Sequence, residues 1–564
     1  MHIKALLSER IEAAFDAMGL EGPAVVQSAS RPEFGDYQAN GVMGAAKRAK
    51  LNPRDVAADV IERVDLTGIA SNVEIAGPGF LNITLDSEWL ARNQPATISP
   101  AEPKQKIVVD YSAPNLAKEM HVGHLRSTII GDALARVLEA QGHEVVRQNH
   151  VGDWGTQFGM LLEYMKESGE TSAELSDLET FYRSAKVRFD EDNDFQSRAR
   201  KAVVDLQSGE AYATEQWQKF IDISMSHCQE IYNRLGVTLR ADHIAGESTY
   251  NNALPGVITS LAEQNLLEES DGAQCVFLDE FKNKKGDILP VIVQKSDGGY
   301  LYATTDLAAV QYRTGEIGAE RILYCTDNRQ ILHFQQIFSV AALAGFNKNG
   351  ASLEHMPFGT MLGEDGKPFK SRSGDLIKLA ELLDEAEARA TNLVKEKNPD
   401  LSDEEARELG SVIGIGAVKY ADLSKNRTSD YVFDWDQMIS FEGNTAPYLQ
   451  YAYTRVLSIF SRGEIEIDTL PGHAVAVDEA ERRLAVTIAG LEDTLEQVTE
   501  EGYPHFLCAY LYDLATRFTH FYEACPILSS EGEVRTRRLV LAKQTADTLK
   551  LGLSLLGIGT VARM

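Results

Sequence analysis

The sequence predicts an α/β protein with a central parallel-sheet domain, a small α+β unit before it and an all-α helical bundle after it. Three observations predict this. Around residue 107 a short apolar strand, a helix and a second strand follow in βαβ order, which implies parallel pairing. The first ninety residues combine helical apolar spacing with a strand–turn–strand pattern. From about residue 375 apolar residues recur at helical spacing almost to the end.

Taken in order, the spacing predicts a helix near Ile3 to Met18 and another after Pro53, with Val56, Val60, Ile61 and Val64 on one face. Val73–Ile75, Gly77–Gly79 and Phe80–Leu85 read as strand, turn, strand. Pro95, Pro100 and Pro103 among polar residues mark a linker. Ile107–Val109 is a strand, His121 to Gln141 a helix stopped by Gly142, and Val145–Val146 the next strand. Residues 170 to 235 are charged and helix-prone, as in an insertion. Strand candidates return at Cys275–Leu278, Val291–Val293 and Ile322–Tyr324. In the bundle, Leu379, Leu382, Leu383, Ala386 and Ala390 form one apolar stripe. The expected boundaries are 1–90 for the first domain, 91–105 for the linker, 106–380 for the sheet domain and 381–564 for the bundle.

The 564 residues suffice for about three or four domains. Apolar and charged contents of 44% and 25% fit a globular chain and exclude a disordered or fibrous one. The net charge of −29 argues against indiscriminate nucleic-acid binding, so any RNA site must be a basic strip on an acidic body. Five scattered cysteines form no C-x-x-C pair, which speaks against zinc and suits a reducing compartment. The N-terminus does not read as a signal peptide, and no stretch has the apolar length to span a bilayer. The expected location is the cytoplasm.

The motif that carries chemistry is His121-Val122-Gly123-His124, which follows a strand and a proline-containing loop and opens a helix. The histidines are three apart and share a face of the first turn. A helix N-terminus offers free N–H groups and a positive dipole end to phosphate. Gly123 removes a side chain where a nucleotide would press on backbone. Imidazole N–H groups can stabilise phosphate charge that grows during displacement. An isolated H-x-G-H reads first as two surface histidines beside a helical glycine; the strand–loop–helix context reverses that in favour of chemistry.

This motif resembles the signature of the class I aminoacyl-tRNA synthetases, and it also occurs in small nucleotidyltransferases. The wider strings 111–128 and 149–159, then Tyr420–Arg427 and Phe521–Leu528, resemble the arginyl branch and extend the likeness over nearly the whole chain. The resemblance implies a Rossmann-like catalytic domain, ATP with Mg²⁺ as co-substrate, L-arginine and tRNA(Arg) as substrates, a monomeric enzyme and no membrane association. It also implies an activation step that requires tRNA. His121, Gly123 and His124 would bind ATP. The family's mobile phosphate loop is matched by Phe369-Lys370-Ser371-Arg372-Ser373-Gly374, which departs from the usual K-M-S-K-S. Lys370, Ser371 and Arg372 remain to close over phosphate. Lys118 matches a lysine that supplies the missing charge; by position alone it reads equally as an exposed loop lysine, and the depleted loop favours the functional role.

A guanidinium has five donors in a planar fork and pairs best with rigid carboxylates. By resemblance, Glu247, Tyr302 and Asp306 match substrate-binding positions, Asn115 matches a reader of the α-amino or carboxylate end, and Gln330 acts beside it. Local sequence alone does not single these acids out from 84 candidates. For tRNA, Tyr448, Tyr451 and Arg455 interleave aromatics with a base; they can stack on unpaired bases or pack a bundle core. Arg535, Arg537 and Arg538 form a basic cluster that faces RNA or solvent. The family places an elbow contact at Phe34–Asn40. Two rivals stand beside the arginine–tRNA ligase reading: another H-x-G-H nucleotidyltransferase, which leaves the long helical region without purpose, and a non-catalytic tRNA-binding relative, whose expected mark is loss of the histidines or pocket acids.

Overall fold

Ile107, Val108 and Val109 are fully buried because their strand, Lys106–Asp110, is covered on both faces. In the computed structural model, which describes residues 2–29, 31–94, 97–116, 118–169, 178–369 and 377–564, that strand lies inside a four-stranded parallel sheet. The order is Ser352–His355, Arg321–Tyr324, Lys106–Asp110, Glu144–Gln148, with Ile322 opposite Val108 and Val108 opposite Val146. The helix Val122–Ala140 is the crossover that makes the expected βαβ unit, and Gly142 follows it at φ +83°. At the sheet's carboxyl edge the fully buried Arg313 donates to Asp110 at 2.7 Å and to Gln148 at 2.6 Å.

Two of the expected strands do not join this sheet. Ala273–Val276 pairs antiparallel with Val291–Gln294 on one side and with Glu268–Ser270 on the other, in a separate three-stranded sheet. Their apolar residues cap a core shared with the helices Leu254–Glu263, Tyr302–Gly315 and Ile331–Leu343. The charged stretch folds into the helices Leu178–Glu191, Asn193–Gln207 and Ala211–Leu235. The apolar stripe beginning at Leu379 is buried throughout, on the helix Leu379–Lys397, against Asp403–Leu423. These helices touch through glycines: a Cβ on Gly414 would stand 2.6 Å from the Ala386 carbonyl oxygen.

Near the N-terminus four strands form an antiparallel sheet in the order Val26–Ser28, Tyr37–Ala39, Phe80–Leu85, Ala70–Ala76. The helices Ile3–Ala17 and Pro53–Arg63 appear where expected; Pro53 occupies the first turn and Asn52 caps it by accepting from the Arg54 N–H. Toward the C-terminus the helices Ala446–Arg462, Glu479–Ala489, Leu491–Glu501, His505–Ala524 and Gly532–Leu555 form the bundle. Contacts divide the chain into two compact units. One comprises Met1–Ser99, Ser440–Ser554 and Gly559–Met564; the other comprises Pro100–Ile439 and Leu555–Ile558. Among the described residues no helix is long and apolar enough to cross a membrane.

Candidate active site

The strand Lys106–Asp110 runs into a turn in which Ser112 and Ala113 both have positive φ, 72° and 45°. Two successive non-glycine residues in that region store strain. Hydrogen bonds from the Ser112 N–H to the Ser127 Oγ and from the Ala113 N–H to the Asn149 Oδ1 hold them there. The turn delivers Asn115 beside Gly152, where a Cβ would lie 2.3 Å from the Asn115 Oδ1. Gly152 is therefore a glycine because the Asn115 amide fills that space.

His121 is the N-cap of the signature helix rather than a member of its first turn. Its Nδ1 accepts from the Gly123 N–H at 3.0 Å, and the His124 Nδ1 accepts from the His121 N–H at 3.1 Å. A ring nitrogen that accepts from a backbone N–H carries no proton, so each imidazole carries its proton on Nε2. Burial lowers His124 to about 3 and also lowers His121, with Lys118 and Arg329 adding to the effect. Both rings are neutral Nε2–H donors. The helix N–H groups expected to meet phosphate are already engaged: Val122 donates to the Ile377 carbonyl, Gly123 to the His121 ring and His124 to the His121 carbonyl.

Lys118 is exposed, with its Nζ 4.7 Å from the centre of the Tyr182 ring. Arg329, which the sequence analysis did not single out, is 82% exposed and bound through two nitrogens to Asp327, both at 2.7 Å. Lys370, Ser371 and Arg372 lie outside the described residues. The flanks of their loop are described. Phe369, which stands in place of the usual lysine, packs on Phe433 at 5.0 Å between ring centres. On the far side the Leu379 N–H donates to the Met120 carbonyl, so the chain re-enters at the signature.

The acids gather beside this turn. Glu247 opens the short 3-10 segment Glu247–Ala253. Burial pushes its carboxyl up to about 8, and Asp153 and Asp306 push it the same way. Burial raises Asp153 as well, against two hydrogen bonds from Ser248. Asp306 pairs with His333, Oδ2 to Nε2, at 2.6 Å. Gln330 caps the helix Ile331–Leu343, one turn before His333. Tyr302 is 69% exposed and, with Glu247, Trp154, Asn251 and Lys295, lines a cavity of about 540 Å³. The fold thus brings Glu247, Tyr302 and Asp306 together and adds Asp153 and His333. Neither addition had a local signal, because each is defined by a partner distant in sequence.

In the other unit, Tyr448, Tyr451 and Arg455 lie on one side of the helix Ala446–Arg462. Tyr451 is 47% exposed, Tyr448 packs on Tyr512 at 5.6 Å and Arg455 sits 4.7 Å over the Tyr522 ring; the buried member of the run is Tyr453. The cluster near the end is different. Arg537 and Arg538 donate to Glu481 at 2.6 and 2.9 Å, and Arg538 also reaches Asp478. Glu481 is fully buried, so these two guanidiniums are internal counter-ions rather than an RNA face. In the 34–40 segment, Gly35 has φ +76°, and a Cβ there would meet the Ile83 carbonyl oxygen at 2.7 Å; Asp36 pairs with Arg482, and Tyr37 is buried.

Neutral imidazoles at the mouth of a crossover helix, in a parallel-sheet domain joined to a helical bundle, are the arrangement of class I aminoacyl-tRNA synthetases. Comparison with known proteins narrows the class. Residues 88–435 match the model of the class I (R) tRNA synthetase catalytic domain, 449–564 the DALR anticodon binding domain and 1–85 the arginyl tRNA synthetase N terminal domain. The chain is similar over the full length of both proteins to the arginine–tRNA ligases of Marinomonas sp. (strain MWYL1) and Chromobacterium violaceum, each 57% identical. Among solved structures it resembles the arginyl-tRNA synthetase of Plasmodium falciparum, with a TM-score of 0.87 and 29% identity over 100% of this chain and 99% of that one. It also resembles that of Thermus thermophilus, with 0.86 and 25% over 100% of both chains. The chain belongs to the arginyl-tRNA synthetase family.

Proposed function

We propose that the protein is an arginine–tRNA ligase whose arginine pocket is built around Glu247, Asp306 and Tyr302. The observation that carries the pocket is the carboxylate cluster. Glu247 is held near 8 by burial and by Asp153 and Asp306, so the site is short of one positive charge. A guanidinium supplies that charge in a planar fork. An uncharged amino acid of similar length leaves the acids unrelieved and is rejected. Asn115 and Gln330 take the α-amino and carboxylate end.

The arginine carboxylate attacks the α-phosphorus of ATP. An O–P bond forms, the bridging P–O bond breaks, and pyrophosphate leaves. His121 and His124 donate Nε2–H to phosphate oxygens as charge accumulates, with Gly123 giving the nucleotide room against the backbone. Lys118, Lys370 and Arg372 neutralise phosphate, with Ser371 beside them. In the second step the 2′-hydroxyl of the terminal adenosine attacks the arginyl carbonyl and AMP leaves. Mg²⁺ brought with ATP would supply further neutralisation of phosphate charge. Glu119, two residues before the signature, is already paired with Lys378 at 2.9 Å, and Asp327 with Arg329, which suits an ion held by phosphates and water.

The tRNA reading rests on the exposed Tyr451, where an unpaired base can stack, with the half-buried Tyr448 and Arg455 beside it on the same helix. Residues 381–564 take the stem and anticodon, 1–90 the elbow, and 106–380 the chemistry, with 91–105 as linker. Family resemblance supports a monomer acting in the cytoplasm. The test is arginine-dependent ATP–pyrophosphate exchange with and without tRNA(Arg). Exchange with arginine that needs tRNA is expected. Exchange with a different amino acid overturns the pocket assignment, and no exchange in protein that still binds tRNA overturns the ligase reading.

A further inference from the structure

Glu247 sits between Gly246 and Ser248, and both neighbours are held by one side chain. Asp153 is 4% exposed. Its Oδ1 accepts from the Ser248 N–H at 2.8 Å and its Oδ2 from the Ser248 hydroxyl at 2.6 Å. On the other side the carboxylate presses on Gly246 so closely that a Cβ there would stand 2.3 Å from the Asp153 Oδ2. Asp153 is itself anchored: its carbonyl accepts from the Trp217 indole N–H at 2.7 Å, and its N–H donates to the Val151 carbonyl, which also accepts from the Glu247 N–H.

We propose that Asp153 is the positioning residue of the arginine pocket: by gripping Gly246 and Ser248 it fixes the direction from which Glu247 meets the guanidinium. The inference rests on the proposed role of Glu247. A structural role alone does not need a carboxylate. A neutral acceptor can take the Ser248 N–H, whereas a buried anion beside Glu247 works against the empty site. The groups that face Asp153 are Glu247 and His150, whose ring stacks on Tyr250. The local arrangement therefore improves when a cation enters, which is the behaviour of a site shaped for its substrate rather than for the apo fold.

The test is a double-mutant cycle on the full-length enzyme with tRNA(Arg), reading the KM for arginine and for ATP and the kcat. Asp153→Ala is expected to raise the arginine KM by about 10- to 100-fold, the size of losing charge-assisted hydrogen bonds, with the ATP KM within about 2-fold. In a Glu247→Gln background it is expected to add less than about 3-fold, because Asp153 acts through Glu247. Full additivity of the two variants overturns the positioning role and leaves the pocket standing. An arginine KM unchanged by Glu247→Gln alone overturns the pocket and the positioning role with it. Should Asp153→Ala not accumulate as folded protein, Ser248→Ala removes one contact and is expected to give the same signature at about 3- to 10-fold.

Discussion

At the scale of single residues the proposed arginine pocket is a charge problem with a measurable consequence. Glu247 titrates near 8 in the folded protein, far above an ordinary glutamate, because it is buried and faces Asp153 and Asp306. Its raised value means that stability from the protonated form is complete below the unfolded value and is lost as pH rises through about 8. A guanidinium reverses the local field, so arginine binding at neutral pH expels a proton. The arginine KM should therefore fall as pH rises from 6 to 8, by up to about tenfold per unit, and flatten above. Steady-state kinetics across that range check this, and Glu247→Gln should abolish the slope. His333 holds Asp306 through a 2.6 Å contact between Nε2 and Oδ2, so His333→Ala should raise the arginine KM by about 3- to 10-fold while leaving the ATP KM unchanged. An equal rise in both would show a general loss of structure. Glu247 and Asp306 enter the proposed pocket only because motif resemblance points to them. His333 was not readable, since its meaning lies in a partner 27 positions away and on another helix.

At the scale of elements the signature helix shows what periodicity reveals and what it hides. The strand–helix–strand unit around Val108 was legible because a fully buried strand is an unbroken apolar run and its helix ends at a glycine. The apolar runs at Cys275 and Val291 looked the same, yet they pair antiparallel in a different sheet; partner choice is a tertiary property. The capping geometry was hidden for the same reason. Gly123 is exposed, and an exposed glycine in a helix normally gains about 1 kcal/mol on replacement by alanine. Here a Cβ would stand 2.7 Å from the His121 Cε1 and 2.9 Å from its Nδ1, displacing the ring that accepts the Gly123 N–H. Gly123→Ala should lower kcat by at least about tenfold while the Tm moves by no more than about 3 °C, since only one cap is disturbed in a large chain. Pyrophosphate exchange and thermal unfolding on the same preparation separate the two effects; a matched loss of stability and rate would make Gly123 merely structural.

For the molecule as a whole the question is how a chain of net charge −29 holds a polyanion. Which segments share a unit was not visible in a linear reading, because contacts group Met1–Ser99 with Ser440–Ser554 across more than half of the chain. Nor does counting 55 basic residues measure RNA affinity. Arg126 is buried against Asp422 at 2.9 Å, Arg313 against Asp110, and Arg537 and Arg538 against Glu481, so each is spent on a neighbouring acid. What the bundle offers instead is aromatic surface at Tyr451 and the Arg455–Tyr522 pair. Stacking releases few counterions, whereas each neutralised phosphate contributes nearly one to the salt dependence. The logarithm of tRNA affinity should therefore fall with the logarithm of salt at a slope of about 4 or less. Tyr451→Ala should weaken binding by about 5- to 100-fold without changing that slope. Fluorescence titrations between 50 and 200 mM salt, at ranges where slopes resolve, decide it: a slope steeper than about 6 would mean that the acidic body conceals a wide basic track and that backbone neutralisation, not stacking, dominates recognition.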